Sequence, residues 1–304
     1  MSERHLVWVP AQGRRILGET PEEAEICDLP SDPLADARLE EVEFLVTPFG
    51  SSLAGVMDKM TSLKVVQTIS TGVDSIVDTV PEHVVLCSAR GSSDTGVSEW
   101  SVSAILAGLR NLAYLRDEQV AGRWTKEVAT LLADCTVLLL GYGSIAKALE
   151  ERLTAFGPKI ARVARQARPG VDSLEALDRL LPEADVVVVL LPLTTETHHL
   201  VDAKFLAAMK DGALLVNPAR GAIVDSEALL AELQAGRLRA VLDVTDPEPL
   251  PDGHPLYHAP GLLLTPHVAG VTGHGPVNAY RLVTKQIRRF VTGEPLLNVV
   301  HDGY

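Results

Sequence analysis

The sequence predicts an α/β protein with a doubly wound, parallel-sheet (Rossmann) nucleotide-binding domain and a second, smaller α/β domain. Three observations predict this class. Six short apolar segments follow one another from residue 136 on, with helical segments between most of them. A glycine-rich turn follows the first of these segments and opens a helix, as in dinucleotide-binding domains. The length of 304 residues suits two domains, since one domain takes about 100–200 residues.

The first third of the chain alternates apolar and polar segments, which predicts a small unit with a parallel sheet. The strand candidates are rich in Val and Ile and are bounded by Pro, Gly or Asp: residues 6–9, 44–47, 65–69 and 84–87. Residues 98–115 have apolar side chains at helical spacing, with Ser98 as a candidate N-cap, and are expected to link the domains. The helical tail 277–291 is expected to pack back on the first domain.

These patterns predict a substrate domain from residues 1–97 with 272–304 and a dinucleotide-binding domain from residues 98–271. The strands of the second domain are expected at 136–140, 160–164, 185–191, 213–217, 240–244 and 262–265. Its helices are expected at 144–156, 202–209 and 226–235. Near-continuous apolar strands such as VVVVLL are typical of a sheet that is buried on both faces.

The composition excludes several classes of function. A net charge of −13 repels phosphate backbones and argues against a nucleic-acid partner. The three cysteines lack metal-ligand spacing and cannot form a complete disulfide framework, which fits a reducing cytoplasm. The chain begins without the apolar core of a signal peptide, and its longest apolar runs are too short to span a bilayer. We therefore expect a cytoplasmic protein without a membrane partner.

The turn after residues 136–140 has the pattern G-x-G-x-x-A. Gly141 permits the tight turn, Gly143 lets the backbone approach a pyrophosphate, and the small Ala146 lets helix and strand pack closely. The phosphates would bind at the helix N-terminus, where free N–H groups and the helix dipole favour negative charge. The predicted cofactor-binding residues of the turn are Gly141, Tyr142, Gly143, Ser144 and Ile145.

The next strand bears on the choice between NAD and NADP. An NAD site has an acidic residue roughly 20 residues further on, which bonds the ribose 2′-hydroxyl. Residues 158–171 contain no acid and instead contain Arg162, Arg165 and Arg168. Arg165 follows the strand end, where a guanidinium can bind a 2′-phosphate, so NADP(H) is favoured, with Arg165 and Arg168 as cofactor-binding residues. The alternatives are a solvated basic loop and NAD(H) as the cofactor.

Arg220, Glu248 and His267 each follow one of three consecutive predicted strands. Ligands of doubly wound sheets bind outside the carboxyl ends of the strands, so these side chains are expected near the nicotinamide. His267 would donate a proton to a carbonyl oxygen as an imidazolium, which Glu248 would favour. Arg220 would hold a substrate carboxylate. Each residue also has an alternative role when it is taken singly: a surface ion pair for Arg220, a solvated turn for Glu248 and a structural hydrogen bond for His267.

With these motifs in this order, the chain resembles the D-isomer-specific 2-hydroxyacid dehydrogenases over nearly its whole length. The segments that carry the resemblance are GYGSIAKAL, ADVVVVLLPLTTETHHLV, MKDGALLVNPARGAIVDSEAL, LDVTDPEPL and TPHVAG. The resemblance implies a smaller flavodoxin-like α/β substrate domain, a dimer, and reversible NAD(P)H-dependent reduction of a 2-oxo acid to a D-2-hydroxy acid. It implies Arg220, Glu248 and His267 as the catalytic set.

The resemblance also assigns binding residues. Ser70, Thr71 and Gly72 would hold the substrate carboxylate through backbone N–H groups, opposite Arg220. Asp243 would lie near the nicotinamide carboxamide and Pro192 near the adenosine, with Ala219 also in the cofactor site.

Two departures from the family pattern matter. Ala164 stands where the family has an acid and Arg165 follows it, which resembles the NADP-preferring glyoxylate/hydroxypyruvate reductase branch. The segment after His267, VAGVTGHGPVN, is rich in Gly, which weakens any prediction of the 2-oxo acid.

Two other functions would use parts of the same pattern. A relative acting on formate or phosphite would share the Arg and His, but the His267–Glu248 pair favours proton transfer to a carbonyl. A catalytically weak, dinucleotide-sensing interaction protein would share the whole fold. The adjacent His198 and His199 have no further ligand nearby in the sequence, so no metal site is expected.

Overall fold

The computed structural model describes residues 4–49 and 53–301 of the chain. They divide into two compact units: Asp94–Val271 forms one, and the residues before and after this range form the other. The sequence places the first boundary between residues 97 and 98, whereas this division falls between Ser93 and Asp94, where a long helix begins. The second boundary falls between Val271 and Thr272, the position expected from the sequence.

The first unit contains a parallel five-stranded sheet in the order β2-β1-β3-β4-β5, the flavodoxin-like order. Its strands are β1 (His5–Val9), β2 (Ala24–Asp28), β3 (Val42–Val46), β4 (Val65–Gln67) and β5 (Val85–Cys87). The edge strand β2 was not predicted, because its sequence AEICD places acids among few apolar residues. The helices of this unit are α1 (Ala11–Arg14) and α8 (Gly275–Thr292).

Alternate side chains of β1 enter separate cores on the two faces of this sheet, as the pleat requires. Leu6 and Trp8 belong to one apolar cluster, and Val7 and Val9 belong to the other. Helix α8 covers the second face through buried residues that include Tyr280. The predicted C-terminal helix therefore does pack on the first unit.

The second unit contains a parallel seven-stranded sheet in the order β12-β11-β10-β9-β6-β7-β8, the doubly wound arrangement with one further strand. Its strands are β6 (Thr136–Leu140), β7 (Lys159–Ala164), β8 (Asp172–Ser173), β9 (Val186–Val189), β10 (Leu214–Asn217), β11 (Arg239–Leu242) and β12 (Leu262–Leu264). The pairing β6–β9 is the point where the strand order reverses. The loops after these two strands therefore flank the crevice in which such sheets bind ligands.

The helices of the second unit are α2 (Asp94–Leu109), α3 (Leu112–Val120), α4 (Ser144–Thr154), α5 (Leu177–Leu180), α6 (Ala203–Ala208) and α7 (Ser226–Gln234). The single helix predicted at residues 98–115 is wrong. The left-handed backbone of Asn111 separates α2 from α3, and the Ser98 hydroxyl donates to the Thr95 carbonyl inside α2 instead of capping it.

Strands β6 and β9 are buried on both faces of the sheet. Leu138 and Val187 belong to one apolar cluster and Leu139 and Val188 to the opposite one. Burying one such side chain contributes about 1.5–3 kcal/mol, so these central strands hold the loops at their carboxyl ends firmly. In the described part of the chain, no helix has the length and apolar character needed to span a membrane.

Candidate active site

The turn between β6 and α4 brings the backbone close to the end of β9. Gly141 has a φ of +105°, and a Cβ added there would lie 2.6 Å from the carbonyl carbon and oxygen of Leu190. Gly143 is the N-cap of α4, and no atom of the described residues other than its chain neighbours lies within 4 Å of its Cβ position. Gly141 is therefore required by the fold, whereas Gly143 leaves open space for a ligand.

The N–H groups of this turn divide into two sets. Those of Gly141 and Tyr142 both donate to the Val163 carbonyl, at 2.9 and 3.0 Å. Within the described residues, the N–H groups of Ser144, Ile145 and Ala146 have no intrahelical acceptor and no side chain caps this end of α4, whereas the Lys147 N–H donates to the Gly143 carbonyl. Open space beside unpaired N–H groups fits a pyrophosphate.

Tyr142 is held by charged side chains around its ring. Its hydroxyl donates to Glu150 at 2.7 Å, and Arg162 donates to the same carboxylate at 2.7 Å. The Arg162 and Arg168 guanidinium carbons each lie 5.7 Å from the ring centroid, and Arg168 donates to the Tyr142 carbonyl at 2.7 Å. The hydrogen bonds from Arg162 lower the pKa of Glu150. Arg162 therefore forms an ion pair with Glu150, whereas Arg168 contacts the main chain of the glycine-rich turn.

Arg165 is exposed just past the end of β7. The pKa of Glu196 is lowered mainly by a hydrogen bond from Thr194, and the positive charge of Arg165 contributes to that lowering. Arg165 therefore lies within electrostatic reach of the loop after β9. Pro192 is in the same loop, and its carbonyl accepts from the Thr197 hydroxyl at 2.6 Å.

Arg220 follows β10 in a loop that a buried amide closes. The side-chain amide of Asn217 makes two bonds of 2.9 Å: its Oδ1 accepts from the Ala219 N–H, and its Nδ2 donates to the Arg220 carbonyl. The half-buried Arg220 donates to the Ala219 carbonyl at 2.7 Å. A Cβ added at Gly221 would lie 1.9 Å from the Thr245 carbonyl oxygen, so this loop touches the backbone after β11.

His267 and Glu248 form a direct pair. His267 Nδ1 lies 2.6 Å from Glu248 Oε1, and both side chains are about two-fifths exposed, at 42% and 41%. A carboxylate can only accept, so Nδ1 carries the shared proton and Nε2 is left for another partner. The φ of His267 is +54°, a left-handed backbone conformation that is uncommon outside glycine and that clusters at functional sites.

Asp243 organises the loop that carries His267. Its carboxylate, in a residue only 2% exposed, accepts from the Thr265 hydroxyl at 2.5 Å and from the N–H groups of Val268 and Ala269 at 2.9 and 2.7 Å. The His267 N–H donates to the Asp243 carbonyl at 2.7 Å. Hydrogen bonds on both sides of His267 therefore hold its strained backbone.

Residues 102–269 match the family model described as "D-isomer specific 2-hydroxyacid dehydrogenase, NAD binding domain". The chain belongs to this family.

Two relatives of the dehydrogenase are named reductases. One is a glyoxylate/hydroxypyruvate reductase B of Escherichia fergusonii, which is 35% identical over 71% of this chain and 71% of that protein. The other is a glyoxylate reductase of Thermofilum pendens, which is 33% identical over 79% of this chain and 76% of that protein.

Solved structures have the same fold as the dehydrogenase over its whole length. A D-isomer specific 2-hydroxyacid dehydrogenase from Xanthobacter autotrophicus Py2, in complex with NADPH and MES, has a TM-score of 0.88 and 30% identity, covering 99% of this chain and 100% of that one. An NADPH-dependent glyoxylate/hydroxypyruvate reductase from Sinorhizobium meliloti, in complex with NADP and sulfate, has a TM-score of 0.86 and 27% identity, covering 99% and 100%.

The predicted substrate loop of the dehydrogenase belongs to the first unit. Ser70 donates through its hydroxyl to the Gly72 carbonyl at 2.8 Å, and its own carbonyl accepts from Thr68 and Ala89. Within the described residues, the buried Thr71 hydroxyl has no hydrogen-bond partner. The loop after β4 is therefore stabilised by hydrogen bonds within itself, and the Thr71 hydroxyl is the polar group for which the described residues provide no partner.

Sequence analysis of the dehydrogenase missed supporting residues. Asn217 is the one polar residue of strand β10, LLVN, and it directly precedes the segment of Arg220. That position was a signal in the sequence that could have identified it. Trp100 Nε1 donates to the Thr265 hydroxyl at 3.2 Å, which in turn donates to Asp243. The Trp100–Thr265 hydrogen bond joins residues that are 165 positions apart, so no local sequence pattern predicts it.

Proposed function

We propose that the chain catalyses reversible, NAD(P)H-dependent reduction of a 2-oxo acid to a D-2-hydroxy acid, with glyoxylate and hydroxypyruvate as the first candidates. The observation that carries the proposal is the His267–Glu248 contact of 2.6 Å, in the same unit as the phosphate turn. The names of the relatives and the match to the family support this reaction class.

His267 is the proposed acid and base. Because Glu248 engages Nδ1, the proton for the carbonyl oxygen is held at Nε2. In the oxidative direction Nε2 takes the proton from the hydroxyl. Bound NAD(P)H supplies the hydride.

Arg220 is the proposed anchor for the substrate. Its guanidinium can bind a carboxylate in bidentate fashion and draw on the carbonyl oxygen beside it. The Asn217 bonds fix the loop from which Arg220 projects. Ser70, Thr71 and Gly72 remain proposed substrate residues, since backbone N–H groups can hold a carboxylate.

The purified protein tests this proposal when reduced-nicotinamide absorbance is followed with glyoxylate, hydroxypyruvate, pyruvate and phenylpyruvate. We expect turnover with at least one of them, and chiral analysis of a product such as lactate should give the D isomer. Tight dinucleotide binding without turnover on any 2-oxo acid would favour the dinucleotide-sensing alternative.

We further propose that NADP(H) is preferred over NAD(H). Arg165 is exposed past the end of β7 and its charge acts on Glu196 in the loop of Pro192, while Arg168 donates to the phosphate turn, so these two arginines are the candidates to bind a 2′-phosphate. Replacing Arg165 with Ser should lower kcat/KM for NADPH at least about tenfold, since charge-assisted bonds contribute about 1.5–3 kcal/mol, and leave kcat/KM for NADH unchanged. Arg179→Ser, at another exposed arginine of this unit, is the control. Equal wild-type kcat/KM for NADPH and NADH would refute the preference.

We also propose a homodimer in which a second copy covers the exposed apolar side chains of the segment from Leu112 to Leu131. Trp124 and Val128 are each 96% exposed there, and Val120 is 69% exposed. Exposed apolar patches commonly mark interfaces. The mass from light scattering should be that of two chains, and Trp124→Glu should lower it to one. A wild-type monomer at micromolar concentration would contradict this assignment.

A cytoplasmic location is the remaining part of the proposal. Cys27, Cys87 and Cys135 are all unpaired, as a reducing compartment leaves them. Cell fractionation with enzymes of known compartment as markers tests it.

A further inference from the structure

His198, His199 and Asp246 form a compact cluster outside the proposed catalytic set. Their side chains are exposed, and one potential ligand atom from each lies within 4.8 Å of the others. The two imidazole rings are stacked, with centroids 4.1 Å apart. In the sequence the two histidines have no third ligand nearby, and the fold supplies it from a loop 47 residues further on, counted from His199 to Asp246.

The backbone explains why adjacent histidines lie on the same side. Both histidines lie in a turn, in which the His198 N–H donates to the Thr194 carbonyl at 3.0 Å. The φ of His199 is +51°, a left-handed conformation, and the two rings stack on each other. The His199 N–H donates to the Ala222 carbonyl at 2.8 Å, and the Val201 N–H donates to the Ile223 carbonyl at 3.0 Å. The histidine loop is therefore fastened to the turn that follows Arg220.

The loop of Asp246 is fastened to the same turn. Gly221 lets the backbone of Thr245 and Asp246 approach so closely that an added Cβ would lie 1.9 Å from the Thr245 carbonyl oxygen. The Ser226 hydroxyl also donates to the Asp246 carbonyl at 2.9 Å. Two loops from distant parts of the second unit thus rest on one short segment, which holds the three side chains together without any metal.

The ligand atoms of the cluster are available. Within residues 4–49 and 53–301, no hydrogen bond or ion pair engages the imidazole nitrogens of His198 and His199 or the carboxylate of Asp246. Zn²⁺ is bound by imidazole nitrogen and carboxylate oxygen at about 2.0–2.2 Å, so tetrahedral ligand atoms lie roughly 3.3 Å apart. The exposed side chains need only small rotations from their present spacing to reach that geometry.

We propose that His198, His199 and Asp246 bind a divalent transition-metal ion, with Zn²⁺ as the probe. Three protein ligands leave a fourth position for water, as in open zinc sites. Two imidazoles disfavour Mg²⁺, which prefers oxygen ligands in octahedral geometry. The net charge of −13 attracts cations to the surface in general, so the test must separate this cluster from diffuse binding.

Zinc binding is measured on the chelator-treated full chain without dinucleotide, by calorimetry and by competition with a chromogenic chelator. We expect one Zn²⁺ per chain with a Kd of about micromolar, weaker than closed four-ligand sites reach. Mg²⁺ in large excess should leave that Kd unchanged. Absence of a stoichiometric site in the wild-type chain would overturn the proposal.

The variants assign the site to its residues. His199→Ala and Asp246→Asn should each weaken zinc binding at least about tenfold, because one of three ligands is lost. His258→Ala, which removes an exposed histidine elsewhere in the second unit, should bind zinc as the wild type does. Thermal melts and 2-oxo acid reduction without metal confirm that the variants are folded. Zinc affinity unchanged in both cluster variants would refute the assignment, whether or not the chain reduces 2-oxo acids.

Discussion

Replacing Gly143 with alanine tests whether the turn after β6 binds the dinucleotide, because the change should affect binding much more than folding. Gly143 has φ −97° and ψ −157°, an extended conformation that alanine adopts without strain. In the part of the chain that the structure describes, no atom beyond the chain neighbours lies within 4 Å of the Cβ position, so the methyl group enters open space. That space is where we propose that the backbone approaches the pyrophosphate.

The two expected effects differ in size. Alanine is a poorer N-cap than glycine, which costs about 0.5–1 kcal/mol and lowers Tm by roughly 1–4 °C. A methyl group between the backbone and the pyrophosphate prevents the close approach that the N–H bonds need. We expect the Kd for NADPH to rise at least about tenfold, which corresponds to about 1.4 kcal/mol.

Gly141→Ala is the matched control, since it places the same methyl group in the same turn. There the φ is +105° and the added Cβ would lie 2.6 Å from backbone atoms of Leu190, which cannot rotate away. Overpacking of this kind costs about 1–3 kcal/mol or more, so Tm should fall further than in Gly143→Ala. Fluorescence titration with NADPH and thermal melts measure both quantities. Wild-type NADPH affinity in Gly143→Ala would refute the assignment of this turn to the pyrophosphate.

The remaining predictions concern the reaction and the fold. His267→Asn should lower kcat at least about 100-fold with the NADPH Kd unchanged, because general acid catalysis contributes about 10²–10⁴-fold; steady-state rates comparable to wild type would exclude His267 as the proton donor. Arg220→Lys should raise KM for the 2-oxo acid and lower kcat, since an ammonium cannot form the bidentate pair; unchanged kinetics would remove Arg220 from the site. Gly221→Ala should lower Tm, because a Cβ would lie 1.9 Å from a backbone oxygen; a wild-type melt would show that the loops can separate freely. Hydrogen bonds from Arg162 lower the pKa of Glu150, so its stabilising contribution is present above the ordinary carboxyl pKa of about 4.3 and is lost as pH falls through the folded value; melts of wild type and Glu150→Gln should differ at pH 7 and converge at low pH, and a constant difference would contradict this linkage.

The fold was predictable where the hydrophobic pattern is strong. Strand β6 was predicted with its observed ends, because TVLLL is uniformly apolar and a glycine follows it. Strand β9 was predicted too long, since Leu190 and Leu191 continue the apolar run beyond the last paired residue. The two-residue β8 was missed because so short a pairing leaves no periodicity in the sequence.

The site was predictable only at the level of strand ends. Parallel strands bring their carboxyl ends to one edge, so the order of motifs was enough to expect Glu248 and His267 near each other. The fastening of their loops was not predictable in this way. Asn217 closes a loop by two bonds to main-chain atoms, and the left-handed φ of His267 depends on bonds to Asp243, which is 24 positions earlier in the chain.

Asp243 shows how the cofactor site and the proton donor depend on one another. A carboxylate offers about four lone-pair sites, and three are taken by Thr265, Val268 and Ala269. One site remains for the nicotinamide carboxamide that we propose lies beside it. In this proposal the same buried group orients the loop of His267 and also presents an acceptor to the dinucleotide. The imidazole of His267 is two-fifths exposed, and in this proposal it is nevertheless a positioned proton donor. Its backbone is held by hydrogen bonds to Asp243 on both sides. The orientation of its ring is fixed by the contact with Glu248.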